Sequence, residues 1–245
     1  NYPDGTSQSA SVDDYGEITA VTDQAGHTTS YTYDPSGWPK EIDYPTGDEA
    51  AWLPETFQFD YVTTAERGIP GGHWRRTVST GNNVEVTYFD AMLRPLLTDG
   101  SITGTAGSDI SAGNSYDWRG LTTFAAYPVA GAPDWSALTT GTHTSYDTLG
   151  RPIQTLQDSE QGTLTSTTAY LPGAAVQVTD PRGKVTTTHY QVFGAPSTRA
   201  PIEVDAPEGV TQTITRDLSG KPLSITQSGV YNGTETDSVT KTLVY

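Results

Sequence analysis

Apolar and polar residues alternate with a period of two along much of the chain. Val84, Val86 and Tyr88 alternate with Glu85, Thr87 and Phe89, and Val210, Gln212 and Ile214 alternate with Thr211, Thr213 and Thr215. Leu223 and Ile225 alternate in the same way with Ser224 and Thr226. Successive side chains of a strand point to opposite faces of a sheet, so this period, carried by β-branched residues, predicts strands. Helical periodicity is almost absent. Asp48 to Trp52 and Asp134 to Leu138 have room for a turn or two of helix.

The strand-like segments are separated by a recurring corner. Asp-x-x-Gly occurs seven times, as Asp13…Gly16, Asp23…Gly26, Asp34…Gly37, Asp117…Gly120, Asp147…Gly150, Asp180…Gly183 and Asp217…Gly220. Roughly two would arise by chance from this composition. The chemistry of a hairpin turn explains the excess. An Asp carboxylate caps the turn, Pro at the second position presets φ, and Gly at the fourth takes the left-handed conformation of a type I turn plus bulge. Asp34-Pro35-Ser36-Gly37 and Asp180-Pro181-Arg182-Gly183 meet all three demands. Asp90-Ala91-Met92-Leu93 has Leu in place of Gly, which predicts a distorted member.

Gly-x-Pro follows the corner at Gly37-Trp38-Pro39, Gly150-Arg151-Pro152 and Gly220-Lys221-Pro222, and it recurs at Gly194-Ala195-Pro196. Leu93-Arg94-Pro95 is the same step without its Gly. Pro suits the first residue of a strand, where no ladder donor is required. The segment from Val21 through Asp23, Gly26, Tyr33 and Gly37 to Pro39 aligns without a gap on Val178 through Asp180, Gly183, Tyr190 and Gly194 to Pro196. Internal duplication is the simplest account. The pattern loosens at about 48–83, read as hairpins with degenerate turns, and at about 99–140. Within the latter, 99–114 and 128–142 read as long surface loops.

These motifs resemble a known family. Tyr31-Thr32-Tyr33-Asp34-Pro35-Ser36-Gly37 and Tyr146-Asp147-Thr148-Leu149-Gly150-Arg151-Pro152 resemble the YD repeat of Rhs proteins, approximately Tyr-Asp-x-x-Gly-Arg. Tyr2-Pro3-Asp4-Gly5 and Tyr44-Pro45-Thr46-Gly47 resemble its Tyr-Pro-Asp-Gly turn. Tyr116-Asp117-Trp118-Arg119-Gly120 and Arg216-Asp217-Leu218-Ser219-Gly220 are weaker copies. The resemblance runs through nearly all of 1–245 as one repeat region. It implies an all-β strip of antiparallel hairpins that spirals into a hollow shell, as in the B and C components of Tc toxins, bacterial Rhs effectors and, more distantly, the teneurin YD shell. In the bacterial members the shell encloses a toxic C-terminal polypeptide, freed by a self-cleaving aspartyl protease motif. Asp34-Pro35-Ser36-Gly37-Trp38 resembles a piece of that motif, but an ordinary strand follows it. The resemblance therefore implies shell alone. Its expected partners are neighbouring repeats and an enclosed polypeptide.

Composition agrees with a folded object that has a polar surface. The 245 residues are 34% hydrophobic and 10% aromatic, with no Cys, so no disulfide framework can form. The net charge of −16 repels phosphate backbones and anionic membranes, which argues against nucleic-acid partners and membrane insertion. An acidic wall would suit a basic cargo. The opening Asn1-Tyr2-Pro3-Asp4-Gly5 has no signal-peptide pattern, and both ends read as cut inside a pattern, as expected for a section of a longer, secreted or cell-surface-delivered bacterial protein.

Candidate reactive groups each have a structural reading that fits better. His27, His73, His143 and His189 are not spaced as a zinc cluster, and the corners supply too few carboxylates per loop for a calcium site. Asp13-Asp14, Asp48-Glu49 and Asp158-Ser159-Glu160 sit in or beside turns rather than facing each other across a cleft. No nucleophile elbow is present, and Gly68-Ile69-Pro70-Gly71-Gly72 lacks the Gly-Lys-Ser/Thr ending of a phosphate loop. No catalytic, cofactor or metal residues are expected. Trp38, Trp52, Trp74, Trp118, Trp135 and the 14 Tyr fit cross-strand packing, with sugar stacking as the alternative. The leading expectation is a non-catalytic section of an encapsulating shell. The alternative is a surface module that binds a cell-surface glycan or protein.

Overall fold

A computed structural model describes all residues except 1, 3, 47–51, 193, 196, 232–234, 244 and 245. The chain is all-β, built from antiparallel hairpins taken in sequence order, and divides into two compact units, Asn1–Gly141 and Thr142–Tyr245.

The first unit runs β1 (Ser9–Val12), β2 (Ile18–Thr22), β3 (Thr28–Tyr33), β4 (Pro39–Asp43), β5 (Glu55–Val62), β6 (His73–Thr80), β7 (Asn83–Phe89), β8 (Pro95–Ile102), β9 (Ile110–Tyr116), β10 (Thr122–Ala126) and β11 (Val129–Ala130). Each strand from β1 to β9 pairs with the next, and β9 then pairs with both β10 and β11. The second unit holds β12 (Gly141–Tyr146), β13 (Pro152–Ser159), β14 (Gly162–Leu171), β15 (Ala175–Thr179), β16 (Val185–Tyr190), β17 (Pro201–Ala206), β18 (Val210–Arg216), β19 (Pro222–Tyr231) and β20 (Glu235–Thr242), again paired in sequence order. Pro39, Pro95, Pro152 and Pro222 each open a strand, the position where a missing N–H is tolerated. Pro196 lies outside the described residues.

Hairpins paired only with their sequence neighbours bury little, which accounts for the low hydrophobic content. In the second unit Ala175 is the one buried hydrophobic residue among those described. The first unit has a local core. Ile69, Tyr88, Leu97 and Leu138 form one buried cluster, with Trp135, Val86 and Val129 packed against it.

That core corrects two expectations. Residues 99–114 are mostly strand, since β8 runs to Ile102 and β9 starts at Ile110. Residues 128–142 do not form a loose surface loop. They supply β11 and a short 3-10 helix, Trp135–Ala137, and fold back to bury Leu138. Small residues that read as loop composition are what permit this approach. A Cβ at Gly113 would meet Leu138 Cδ1 at 2.7 Å and the Leu96 carbonyl at 3.0 Å. Of the two suggested helical turns, Asp134 to Leu138 holds the 3-10 turn, and residues 48–51 of the other lie outside the described residues. No helix among the described residues is long and apolar enough to cross a membrane.

Candidate functional site

The seven Asp-x-x-Gly corners are hairpin turns with one shared hydrogen-bond scheme. One carboxylate oxygen of the Asp accepts the amides two and four residues on. Asp34 Oδ1 takes Ser36 N–H at 2.8 Å and Trp38 N–H at 3.0 Å, and Asp147 Oδ1 takes Leu149 and Arg151 N–H, both at 2.9 Å. The same pair of bonds is made by Asp13, Asp23, Asp117, Asp180 and Asp217. The Gly amide closes each turn on the Asp carbonyl, and Gly16, Gly26, Gly37, Gly120, Gly150, Gly183 and Gly220 have φ between 76° and 89°. A residue with a Cβ is strained there.

The Asp90 corner is not distorted, contrary to expectation. Leu93 takes the glycine conformation at φ 58° and donates to the Asp90 carbonyl at 3.0 Å, while Asp90 Oδ1 accepts Met92 and Arg94 N–H at 2.8 and 2.9 Å. Arg94 Nε donates to the other carboxylate oxygen at 2.6 Å, a charge-assisted bond that helps hold the strained turn.

Arg occupies that second oxygen elsewhere too. Arg151 reaches Asp147, Arg119 reaches Asp117 and Arg182 reaches Asp180, at 2.7, 2.8 and 3.1 Å. The carboxyls of Asp147 and Asp180 are held below their ordinary value first by the Arg151 and Lys184 amides respectively. At Asp90 and Asp117, desolvation pushes upward, and the amide and guanidinium donors outweigh it. These are ionised acceptors with their lone pairs engaged, which makes them poor proton donors.

The Tyr of the motif laces one corner to the next on the same side. Tyr33 O–H donates to the Ile18 carbonyl at 2.8 Å, and Tyr116 O–H donates to the Pro95 carbonyl at 2.9 Å. In both cases the acceptor lies just past the preceding corner on that side. Arg216 fills the Tyr position in the Arg216-Asp217 copy and donates from Nε and Nη2 to the Pro201 carbonyl, both at 3.2 Å. Tyr170, which no corner motif marks, does the same to Pro152 at 3.2 Å. Tyr146 and Tyr190 stand at strand ends opposite Pro152 and Pro201, each beside a register shift. In the Tyr-Pro-Asp-Gly-like turns, Pro3 and Gly47 lie outside the described residues.

Within neither unit do the motif residues converge on a centre. In a meander, alternate corners fall on opposite edges. Asp13, Asp34, Asp90 and Asp117 share one edge of the first unit and Asp23 lies on the other. In the second unit Asp147 and Asp217 share an edge opposite Asp180.

Two polar networks in the first unit were not found from sequence. Arg67 pairs with Asp99, donates to the Pro133 carbonyl at 2.6 Å, and lies 3.4 Å from Ser111 Oγ; Ser111 in turn donates to Asp99 at 2.7 Å. This network ties the segments 63–72 and 131–138 onto β8 and β9. Beside it, Glu66 meets His73 Nε2 at 3.1 Å and Arg75 at 2.9 Å, and Arg75 also pairs with Asp60. Asp60 and Arg75 are directly opposed in the β5–β6 register, so a correct register would have exposed that pair. Among the described residues no three His, Asp or Glu are gathered as a metal site.

Several aromatic residues form cross-strand stacks, whereas Trp118 and Tyr15 stand exposed at corner tips. Trp38 on Phe59 and Phe59 on Trp74 have centroids 4.9 Å apart in each case, with interplanar angles of 22° and 8°. Their faces are spent on each other, which leaves little ring face for a sugar. Trp135 donates to the Asn114 carbonyl at 3.0 Å.

Residues 12–49 match the RHS Repeat family model. That stretch holds the Asp13, Asp23 and Asp34 corners, so the RHS repeat coincides with the hairpin turns described above. The fold is similar to that in the crystal structure of TcdB2-TccC3-TEV, at a TM-score of 0.52 and 13% identity, covering 100% of this chain and 15% of that one. The Photorhabdus luminescens Tc holotoxin pore aligns at a TM-score of 0.49 and 11% identity, over 90% of this chain and 13% of that one. The chain thus spans a small part of the proteins it resembles in fold. No curated protein matches it.

Proposed function

We propose that this chain is a non-catalytic wall section of an RHS-type shell that encloses a toxin or effector polypeptide within a secreted bacterial assembly. The observation that carries this reading is the use made of the motif carboxylates. Asp13, Asp23, Asp34, Asp90, Asp117, Asp147, Asp180 and Asp217 each accept two turn amides of their own corner, spread along successive hairpins. Groups used in this way specify bends and leave no pair of carboxylates facing a common substrate. The fold likeness to TcdB2-TccC3-TEV supports the same reading. Neighbouring repeats would be the immediate partners, and the enclosed polypeptide the functional one.

The test is limited proteolysis of the longer protein that carries this section. An enclosed polypeptide resists protease until the wall is unfolded. Digestion of that polypeptide at full rate, with the wall intact, would contradict enclosure.

A further inference from the structure

The turn scheme fixes the Asp and the left-handed residue of each corner but leaves the two tip positions free. Those positions are used unequally. Among the described residues, six large hydrophobic side chains are at least 71% exposed, and five of them, Tyr15, Met92, Trp118, Leu149 and Leu218, sit at corner tips. Tyr15, Met92 and Trp118 lie on one edge of the first unit, at the β1–β2, β7–β8 and β9–β10 corners. Leu149 and Leu218 share one edge of the second, at β12–β13 and β18–β19. Tight corners on the opposite edges carry Gln24-Ala25, Glu160-Gln161 and Pro181-Arg182, although Trp52 and Leu53, 59% and 55% exposed, lie in the β4–β5 connection of the first unit's opposite edge. Two tight corners on the apolar edges lack such a tip: the Asp34 corner, with Pro35-Ser36 at its tip and Trp38 half-exposed beside it, and the β14–β15 corner, with Pro172-Gly173.

We propose that the apolar-tipped edge of each unit is an interaction surface that packs, tip between tips, on the same edge of a second copy of the strip. The proposal rests on the wall reading and names the partner of one edge. Spacing favours a like partner: same-edge corners two strands apart, as at Asp90 and Asp117, recur at about 10 Å, a gap that one further tip fills. Charge favours it as well. Met92, Trp118 and Leu149 project from corners whose carboxylates are paired with Arg94, Arg119 and Arg151, which reduces repulsion between corner carboxylates where those tips meet. A basic polypeptide would find those carboxylates already occupied. The most exposed apolar side chains, gathered at the capped corners of one edge of each unit, mark a contact surface.

The chain has no Cys, so single cysteines report contacts cleanly. Ala91→Cys and Thr148→Cys place a thiol beside Met92 and Leu149, while Gln24→Cys and Arg182→Cys mark the opposite edges; all four positions are exposed. Under mild oxidation of the 245-residue chain, the first pair is expected to form disulfide-linked dimers several-fold faster than the second. The difference should widen with added salt, which screens the repulsion between two chains of charge −16. Adding Trp118→Ser to Ala91→Cys should slow its cross-linking. Equal rates on the two edges, or no dimer at either, would overturn the proposal. Enclosure of a cargo does not depend on this contact, so protease protection would still report separately on the wall reading.

Discussion

The guanidinium of Arg151 lies 3.9 Å from the centre of the Tyr170 ring. The same side chain donates from Nε to Asp147 Oδ2 at 2.7 Å, and Tyr170 donates its hydroxyl to the Pro152 carbonyl. One arginine thus joins the cap of its own corner to the strand two places along. Arg94 repeats the arrangement between Asp90 and Tyr116, at 4.6 Å from the ring centre. A planar guanidinium can bond the carboxylate edge-on and stack face-on at once, which an ammonium group cannot. Arg151→Lys keeps the charge and should lower stability by about 0.5–1 kcal/mol, the range for an exposed cation–π contact. Urea unfolding of the two proteins measures it, and an unchanged midpoint would show that the stack contributes nothing.

Leu93 sits at φ 58°, where an L-residue with a side chain is strained. The left-handed conformation costs roughly 1–2 kcal/mol per such residue. Leu93 is also about half exposed, so little packing is lost with its side chain. Leu93→Gly should therefore raise stability by about 0.5–1 kcal/mol once the greater unfolded-state freedom of Gly is subtracted. The reverse change, Gly183→Ala at φ 76°, meets no neighbouring atom within 4 Å and should destabilise through conformation alone. Thermal melts of both variants, moving in opposite directions, check the assignment.

The corners were legible in the sequence because their chemistry is local. The Asp13 cap and the Gly16 conformation are set within four residues, and no distant contact is needed to read them. Tyr33 and Tyr116 were recognisable as part of the motif, but not as donors to carbonyls of the previous same-side corner, since that depends on strand pairing. The Asp90 corner was misjudged because Arg94 supplies a hold that a glycine rule does not count. The buried Arg67–Asp99–Ser111 network and the folded-back segment at 128–142 were invisible for a related reason. Both arise from residues more than 30 positions apart, in a stretch whose Ser, Thr and Gly content imitates surface loop.

Removing Arg67 leaves Asp99 mostly buried with its cation gone. Breaking such a pair from one side costs about 3 kcal/mol, more than removing both charges together. Arg67→Met should thus destabilise the first unit strongly, and adding Asp99→Asn should recover part of the loss. Hydrogen exchange at β8 and β9 reads the effect where it arises. Equal loss in the single and double variants would mean that the pair itself is not what holds these segments.

Acid should loosen the corners. The carboxyls of Asp23, Asp90, Asp117, Asp147 and Asp180 all lie below the ordinary value of 3.8 in the folded chain. The unfolded chain therefore binds their protons first as pH falls, and stability contributed by these groups is present above about pH 4 and lost as pH drops through their folded values. The urea midpoint should be flat from pH 7 to about 5 and then decline. Asp147→Asn, which keeps an amide-accepting oxygen, should shallow that decline. A midpoint that rises on acidification would reverse the sign and refute the caps.

The most direct measurement is amide exchange at the capped positions. In Asp147→Ala, the Arg151 and Leu149 amides lose their acceptor, while ladder amides of β13 keep theirs. The account predicts fast exchange at those two amides, with a stability loss of about 0.5–2 kcal/mol, the range for removing a side-chain cap. Unchanged exchange at Leu149 and Arg151 would contradict the claim that motif carboxylates exist to hold the bends of the wall.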